Sequence, residues 1–279
     1  MCEQIILEED VSCFSRYLFM EEKSTATIQK YIRDVRAFMR FAGKAQVTKE
    51  VAMAYKKECL DLGYAVRSVN SMISSINSFF AYKGWSNCKV KILKIQRKVY
   101  CPEEKELTKA EYMRLLSASR EDKQLNLVLQ TICATGIRVS ELQYFTVEAL
   151  QRSEISINCK NKIRTIIVPE KLKKLLLKYA KHCKITSGAV FVGRNGQAVD
   201  RSSIWRKMKN LCEAAGVKES KVFPHNLRKL FARTFYGIEK DIAKLADILG
   251  HSSINTTRIY IMSTGVEHRV KIERLGLLV

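Results

Sequence analysis

Proline and glycine are scarce in this 279-residue chain, at 3 and 12 residues. Long disordered linkers are therefore not expected, because such segments are rich in breakers and solvating residues. No apolar run approaches the ~20 residues that cross a bilayer, so no membrane association is expected. The nine cysteines, at 2, 13, 59, 88, 101, 133, 159, 183 and 212, are odd in number and never reach C-x-x-C spacing. Neither a zinc site nor a disulfide framework follows; free thiols in a reducing cytosol do. The opening residues, MCEQIILEEDVSC, are acidic and carry no basic leader with an apolar core, so a secretory signal is not expected and the expected location is cytoplasmic. Acidic side chains are the most telling shortage. There are 28 against 49 Lys and Arg, a formal charge of +21. That argues against an ordinary enzyme of a small metabolite and for a polyanionic partner, nucleic acid before an anionic membrane surface.

Hydrophobic residues make up 47% of the chain, enough for a sizeable core. Residues 11–42 read as two helices. Phe14, Tyr17 and Leu18 share one face, and Ile28, Tyr31, Ile32, Val35, Phe38, Met39 and Ala42 repeat at three and four. Ser24 and Thr25 are cap candidates between them. Two more helices are expected over 48–62 and 66–82, with Thr48 and Ser68 near their starts, completing a bundle. From Leu62 to Pro102 there is no acidic residue, whereas Arg67, Lys83, Lys89, Lys91, Lys94, Arg97 and Lys98 are basic. A domain boundary is expected near 97–106: a helical domain over 1–99, a linker over 100–106 and a second domain over 107–279. The second domain is the more basic, with 31 Lys and Arg against 15 acidic residues after position 106 and 18 against 13 up to it. It opens with Thr108 and Glu111 at capping-box spacing. A buried helix, LNLVLQTICATG, closes on Gly136. Residues 154–168 read as a β-hairpin, and helical patterns run from 170 onward. The fold class expected is mostly α with one small antiparallel sheet.

Four stretches of the second domain carry candidate chemistry. ATGIRVSEL places Arg138 just past a helix-ending glycine, at the start of the next helix. CKNKIR puts Lys160 and Lys162 in a hairpin turn. PHNLRKLFA sets His225 and Arg228 three apart, neighbours on one helical face. LGHSSINTTRIY holds His251 and Tyr260. Each alone has a plain reading as surface cation, solvated lysine or packed aromatic. Glu141, three residues after Arg138, reads as a carboxylate that orients the guanidinium. His182, in a basic helix end, reads as surface, and Thr256 and Thr257 read as capping or packing.

Taken in order, Arg138, Lys160, His225, Arg228, His251 and Tyr260 resemble the Arg…Lys…His-x-x-Arg…Gly-His…Tyr pattern of the tyrosine recombinase (phage integrase) family, over residues 134–260. The preceding helices resemble its SAM-like core-binding domain. The resemblance implies site-specific DNA recombination in which Tyr260 attacks phosphorus and forms a 3′-phosphotyrosyl ester. Two guanidiniums suit the non-bridging oxygens, which gain charge, and His251 would add a donor. A tyrosine of ordinary pKa, about 10, needs a base or a cationic pocket, and His225 matches the family residue that assists. Lys160 matches the lysine that protonates the leaving 5′-oxygen. The ester keeps the bond energy, so rejoining needs no ATP, and no metal or cofactor is implied. The family hairpin often reads GKGNK-R where this chain has CKNKIR, which leaves Lys162 as the alternative lysine. The family's histidine soon after the tyrosine is here replaced by Ile261 and Met262.

The partners implied are double-stranded DNA and a homotetramer on paired sites, monomeric when free, with DNA-bending accessory proteins possible. Integration or excision of a mobile element is the favoured setting. Arg67, Lys91, Lys94, Arg201 and Arg206 are candidate DNA contacts. The tail after Tyr260, ending in Leu275, Leu277, Leu278 and Val279, docks either on its own domain or on a neighbouring protomer. Two other readings share these features: a DNA-binding protein that no longer cuts, and a type IB topoisomerase-like nick-and-reseal enzyme.

Overall fold

Polar caps set where two of the first four helices begin; the fourth starts after Ala65, and Ser68 does not cap it. The computed structural model describes residues 4–95, 103–152, 154–159, 162–193, 196–262, 269–270 and 272–275. Helices α1 (Glu8–Met20), α2 (Thr25–Ala42), α3 (Lys49–Asp61) and α4 (Val66–Tyr82) come first. Ser24 caps α2 by accepting from the Thr27 amide, and Thr48 caps α3 by accepting from Val51. These caps satisfy amides that have no partner within a helix. Phe14 and Leu18 of the expected α1 face and Val35 and Phe38 of the expected α2 face are buried, with Val11 of α1 and Ile73, Ile76, Phe79 and Phe80 of α4, whereas Tyr17 is exposed. Phe14 meets Phe79 edge-to-face at 5.2 Å, as does Phe38 with Phe80 at 5.6 Å, the arrangement that ring quadrupoles favour. Buried Asp34 is paired with Lys30 at 2.9 Å and accepts from the Ser75 hydroxyl at 2.9 Å.

After α4, residues 89–95, which form no helix or strand, are tied to it by two of its asparagines. Asn77 donates to the Val90 carbonyl at 2.8 Å and accepts from its amide at 3.1 Å. Asn70, two turns earlier, does the same for Leu93, at 2.8 and 2.7 Å. Each side-chain amide thus replaces a strand partner for a backbone that has none. Lys91 and Lys94 stay exposed between and beyond the clamps.

Residues Met1–Arg97 and Lys98–Val279 form separate compact units. The second contains α5 (Lys109–Ala118), α6 (Lys123–Thr135), a 3-10 turn over Val139–Tyr144, α7 (Val147–Gln151), β1 (Glu154–Cys159), β2 (Lys162–Ile167), α8 (Glu170–His182), α9 (Arg201–Asn210), α10 (Cys212–Ala215), α11 (Pro224–Glu239), α12 (Ile242–Leu249) and α13 (Ile254–Tyr260). The class is the one expected, mostly helical with one antiparallel pair, β1 on β2. Both bonds of the capping box are made: Glu111 donates its amide to Thr108 Oγ1, and Glu111 Oε2 accepts from the Thr108 amide. Leu115, Leu129, Ile132, Phe145, Ile157, Leu176, Met208 and Leu227 belong to its main core. Ala232, Leu245, Leu249 and Tyr260 form a smaller one with Phe231 and Phe235. Gly136 ends α6 with a φ of +64°, and a Cβ there would lie 2.3 Å from the Phe231 ring, so only glycine fits. The helix expected after Arg138 is the 3-10 turn. Residues 263–268, 271 and 276–279 of the tail lie outside the described residues, and with them the question of where the tail docks.

The asparagine clamps generate a first expectation. Asn77→Ala leaves the amide and carbonyl of buried Val90 unpaired, a cost of about 1–3 kcal/mol. Denaturant unfolding of the full chain should show that loss, and hydrogen exchange over 89–95 should quicken. Unchanged exchange in that peptide would refute the clamp.

Candidate active site

The end of α12 gathers three guanidiniums. Arg164 of β2 donates to the Ile248 carbonyl at 2.5 Å, Arg228 of α11 to Leu249 at 2.6 Å, and Arg138 to Gly250 at 3.4 Å. The last carbonyls of a helix have no partner within it and lie at its negative pole. Arg228 also donates to the Gly136 carbonyl at the end of α6, at 2.5 Å. This cation, with 2% of its surface exposed, is thus held by the C-termini of two helices. Its Nε is the one buried side-chain nitrogen or oxygen without a hydrogen-bond partner among the described residues. Burial, and then Arg138, lower its pKa to about 10, so it stays charged at neutral pH.

Buried Glu141 is the counter-charge. Its Oε1 accepts from Arg138 Nη1 at 3.0 Å, and its Oε2 accepts from the Arg138 amide at 2.7 Å. Oε2 is also paired with Arg164. The orienting role expected for Glu141 is therefore visible as geometry, and it serves two arginines. Gly250 turns the chain after α12 with a φ of +63°, and a Cβ there would lie 2.6 Å from Arg164 Cδ.

Tyr260 sits between two imidazoles. Its ring stacks on His251 at 4.9 Å and 19°, and tilts against His225 at 4.9 Å and 50°. Its hydroxyl lies 3.4 Å from His225 Nδ1. Arg228 Cζ is 6.0 Å from the same ring. His251 Nε2 is 3.1 Å from Arg228 Nη2, and its Nδ1 is 2.9 Å from Thr257 Oγ1. A guanidinium only donates, so Nε2 accepts and the proton resides on Nδ1, donated to Thr257. Burial foremost, then Arg228, Arg138 and Arg164, lower the His251 pKa to about 4. His225 is exposed as a residue, yet the protein around its ring also lowers its pKa, helped by Lys229 and Arg228. Both histidines are therefore neutral at pH 7, and His225 can accept a proton.

A pocket of about 440 Å³ is lined by Arg138, Ser140, Arg201, Trp205, His225, Arg228 and Tyr260, among others. Of the residues singled out from sequence, Arg138, His225, Arg228 and Tyr260 line it, and His251 stacks on Tyr260 beside it. Arg201, expected as a DNA contact, shares the wall. Arg206 lines a different pocket, with Gln124 and Lys207. Arg67, Lys91 and Lys94 are exposed on the first unit. Lys160 lies outside the described residues; Lys162 is in β2, paired with Cys159.

Three participants were not singled out as site residues, although Arg164 closes CKNKIR and Thr257 lies in LGHSSINTTRIY. Arg164 had a signal: strand alternation puts it in phase with buried Ile166 and Val168, where a cation needs a counter-charge. Thr257, expected to cap or pack, holds His251. Glu106, expected in the linker, is 5% exposed and pairs with Lys229 and Arg233 of α11. Nothing in the local sequence marks Glu106.

The sequence model of the phage integrase family matches residues 105–265, and that of the phage integrase N-terminal SAM-like domain matches 11–87. Tyrosine recombinase XerA of Pyrococcus furiosus is 27% identical over 286 aligned residues, covering 100% of this chain and 98% of that protein. Tyrosine recombinase XerD of Listeria monocytogenes is 28% identical, covering 88% and 91%. A crystal structure of XerA recombinase, 27% identical, superposes with a TM-score of 0.55 over 98% of this chain and 99% of that one. A lambda integrase tetramer bound to a Holliday junction, 17% identical, shares the fold with a TM-score of 0.76 over 94% and 79%.

The neutral histidine makes the protein acid-sensitive in a defined window. Unfolded, His251 titrates near the ordinary value of about 6.5; folded, near 4. Between these values the unfolded chain binds more protons, so the stability present above pH 6.5 is lost as pH falls toward 4. Melting temperatures of wild type and His251→Gln across that range should converge toward acid, with a shallower slope for the variant. Parallel slopes would show that His251 is not held neutral.

Proposed function

Because the chain belongs to the phage integrase family, the tyrosine recombinases, we propose that its site-specific DNA recombination runs through Tyr260 as nucleophile in the pocket described above. The phenol oxygen bonds to the scissile phosphorus as the bond from phosphorus to the 5′-oxygen breaks. The phenol proton passes to His225. The leaving 5′-oxygen takes a proton from Lys160, with Lys162 as the alternative. The products are a 3′-phosphotyrosyl ester and a free 5′-hydroxyl. Attack on that ester by a 5′-hydroxyl of a second duplex rejoins the strands and restores the phenol.

The observation that carries this reading is one of placement. The Tyr260 hydroxyl faces His225 at 3.4 Å in a pocket that Arg138 and Arg228 also line. A phosphate entering there meets a preorganised positive wall, and fixed donors of this kind do most to speed reactions that build anionic charge. An entering phosphate also raises the His251 pKa, which favours an imidazole that donates to the anion. Duplex DNA is the substrate class, with Arg67, Lys91, Lys94, Arg201 and Arg206 as contacts to it and a homotetramer on paired sites as the working assembly. The charge of +21 supports the substrate class through counterion release.

Covalent capture tests the reading without a known target. Wild-type protein is incubated with a library of random-sequence nicked duplexes, denatured, and the attached DNA is sequenced. An adduct is expected with wild type and none with Tyr260→Phe. On the recovered site, Arg138→Ala should cleave at least ~100-fold more slowly. DNA retention by wild type without an adduct on any sequence would favour a DNA-binding protein that does not cut. Relaxation of supercoils with no exchange between duplexes would favour a nick-and-reseal enzyme.

A further inference from the structure

We propose that Arg164 is a positioning residue for strand cleavage: it shares the Glu141 carboxylate with Arg138, so that Arg138 is oriented without being neutralised. The proposal rests on the Tyr260 reading above. Arg164 lies opposite Ile157 in the hairpin register, and its side chain is 14% exposed. Removing a guanidinium from water costs several kcal/mol unless its donors find charged or dipolar acceptors. They do, on two separate elements: the Ile248 carbonyl at the end of α12, and Glu141 Oε2 in the 3-10 turn. A planar fork of donors can serve both at once, which a lysine ammonium on a flexible stem does less well.

The charge balance gives this contact a consequence for the reaction. Arg138 paired with Glu141 alone is a neutral couple, and a neutral couple draws a phosphate weakly. With Arg164 on the other oxygen, the three side chains sum to one positive charge. The carboxylate fixes the direction of the Arg138 guanidinium, and its field is divided between two cations. Arg138 is the more exposed of the two, with 43% of its side chain accessible against 14%, so the surplus charge faces the pocket. The stem of Arg164 also fills the space beneath Gly250, where a Cβ would approach its Cδ to 2.6 Å. It thereby supports the turn that presents His251, and its charge is among those that keep that imidazole neutral.

The test uses full-length protein and a nicked duplex carrying the site recovered by covalent capture. Arg164→Met is expected to bind the duplex as wild type does and to form adduct ~10- to 100-fold more slowly. The same substitution in an Arg138→Ala background should add no more than about twofold, because both changes remove one function. The His251 ring, followed by NMR, should titrate upward from about 4. Arg164→Lys, which keeps the charge and loses the fork, should fall between wild type and Arg164→Met; it also carries the comparison if the Met variant does not fold. Full additivity with Arg138→Ala overturns the proposal. So does recovery of the Arg164→Met rate on a duplex with a 5′-bridging sulfur. That leaving group needs no proton, and the defect would then lie with the hairpin lysine. An absence of adduct with wild type defeats the Tyr260 reading itself, a result distinct from these.

Discussion

Three successive carbonyls, those of Ile248, Leu249 and Gly250, each take a different arginine, and the rest of the site depends on that convergence. Arginines 138, 164 and 228 would repel one another if placed together in an apolar interior. The end of α12 supplies roughly half a negative charge and the acceptor geometry. The end of α6 supplies a further acceptor for Arg228, and Glu141 supplies a full charge. The cations are thereby fixed in the folded protein before any anion arrives, so little reorganisation remains for the reaction itself.

The same cations govern the histidines. A field that favours a phosphate disfavours an imidazolium, and burial adds to it. His225 is left with a neutral ring that faces the Tyr260 hydroxyl and can accept a proton, while His251 is locked as the Nδ1-protonated tautomer between Arg228 and Thr257. Thr257 and Tyr260 are three residues apart on α13, hence on one face. That short helix therefore carries both the aromatic hydroxyl and the anchor of the imidazole stacked on it. Tyr260 packs in the small core with Leu245 and Leu249, so its packing and its exposure to the pocket are two sides of one placement.

The first unit applies the same economy to a different end. Its acid-free stretch would, if free, be an unpaired basic strand. Asn70 and Asn77 tie the backbone of that stretch to α4 and leave Lys91 and Lys94 exposed. The Asn70 clamp also brings the stretch alongside the first turns of α4, where Arg67 is exposed. Cationic side chains on a fixed backbone lose less entropy on meeting a polyanion than the same side chains on a mobile one.

By itself the sequence determined the elements and the linear order of the site. Apolar spacing of three and four placed the bundle helices, Ser24 and Thr48 marked the starts of two of them, Thr108 marked that of α5, and β-branched arms marked the hairpin. These are local signals, set by helix and strand periodicity and by backbone amides that need partners. Arg138, His225, Arg228, His251 and Tyr260 were marked by their resemblance to the motif order of the family, and the fold gathers them in one place. Only the tertiary structure decided who holds them. Arg164 reaches Ile248 across 84 positions, Arg138 reaches Gly250 across 112, and Glu106 meets Lys229 across 123. No local pattern encodes such pairings. Nor does any local pattern encode the depressed histidine pKa values or the His251 tautomer, because these arise from desolvation and from charges that become neighbours only when helix ends, hairpin and turn are packed together.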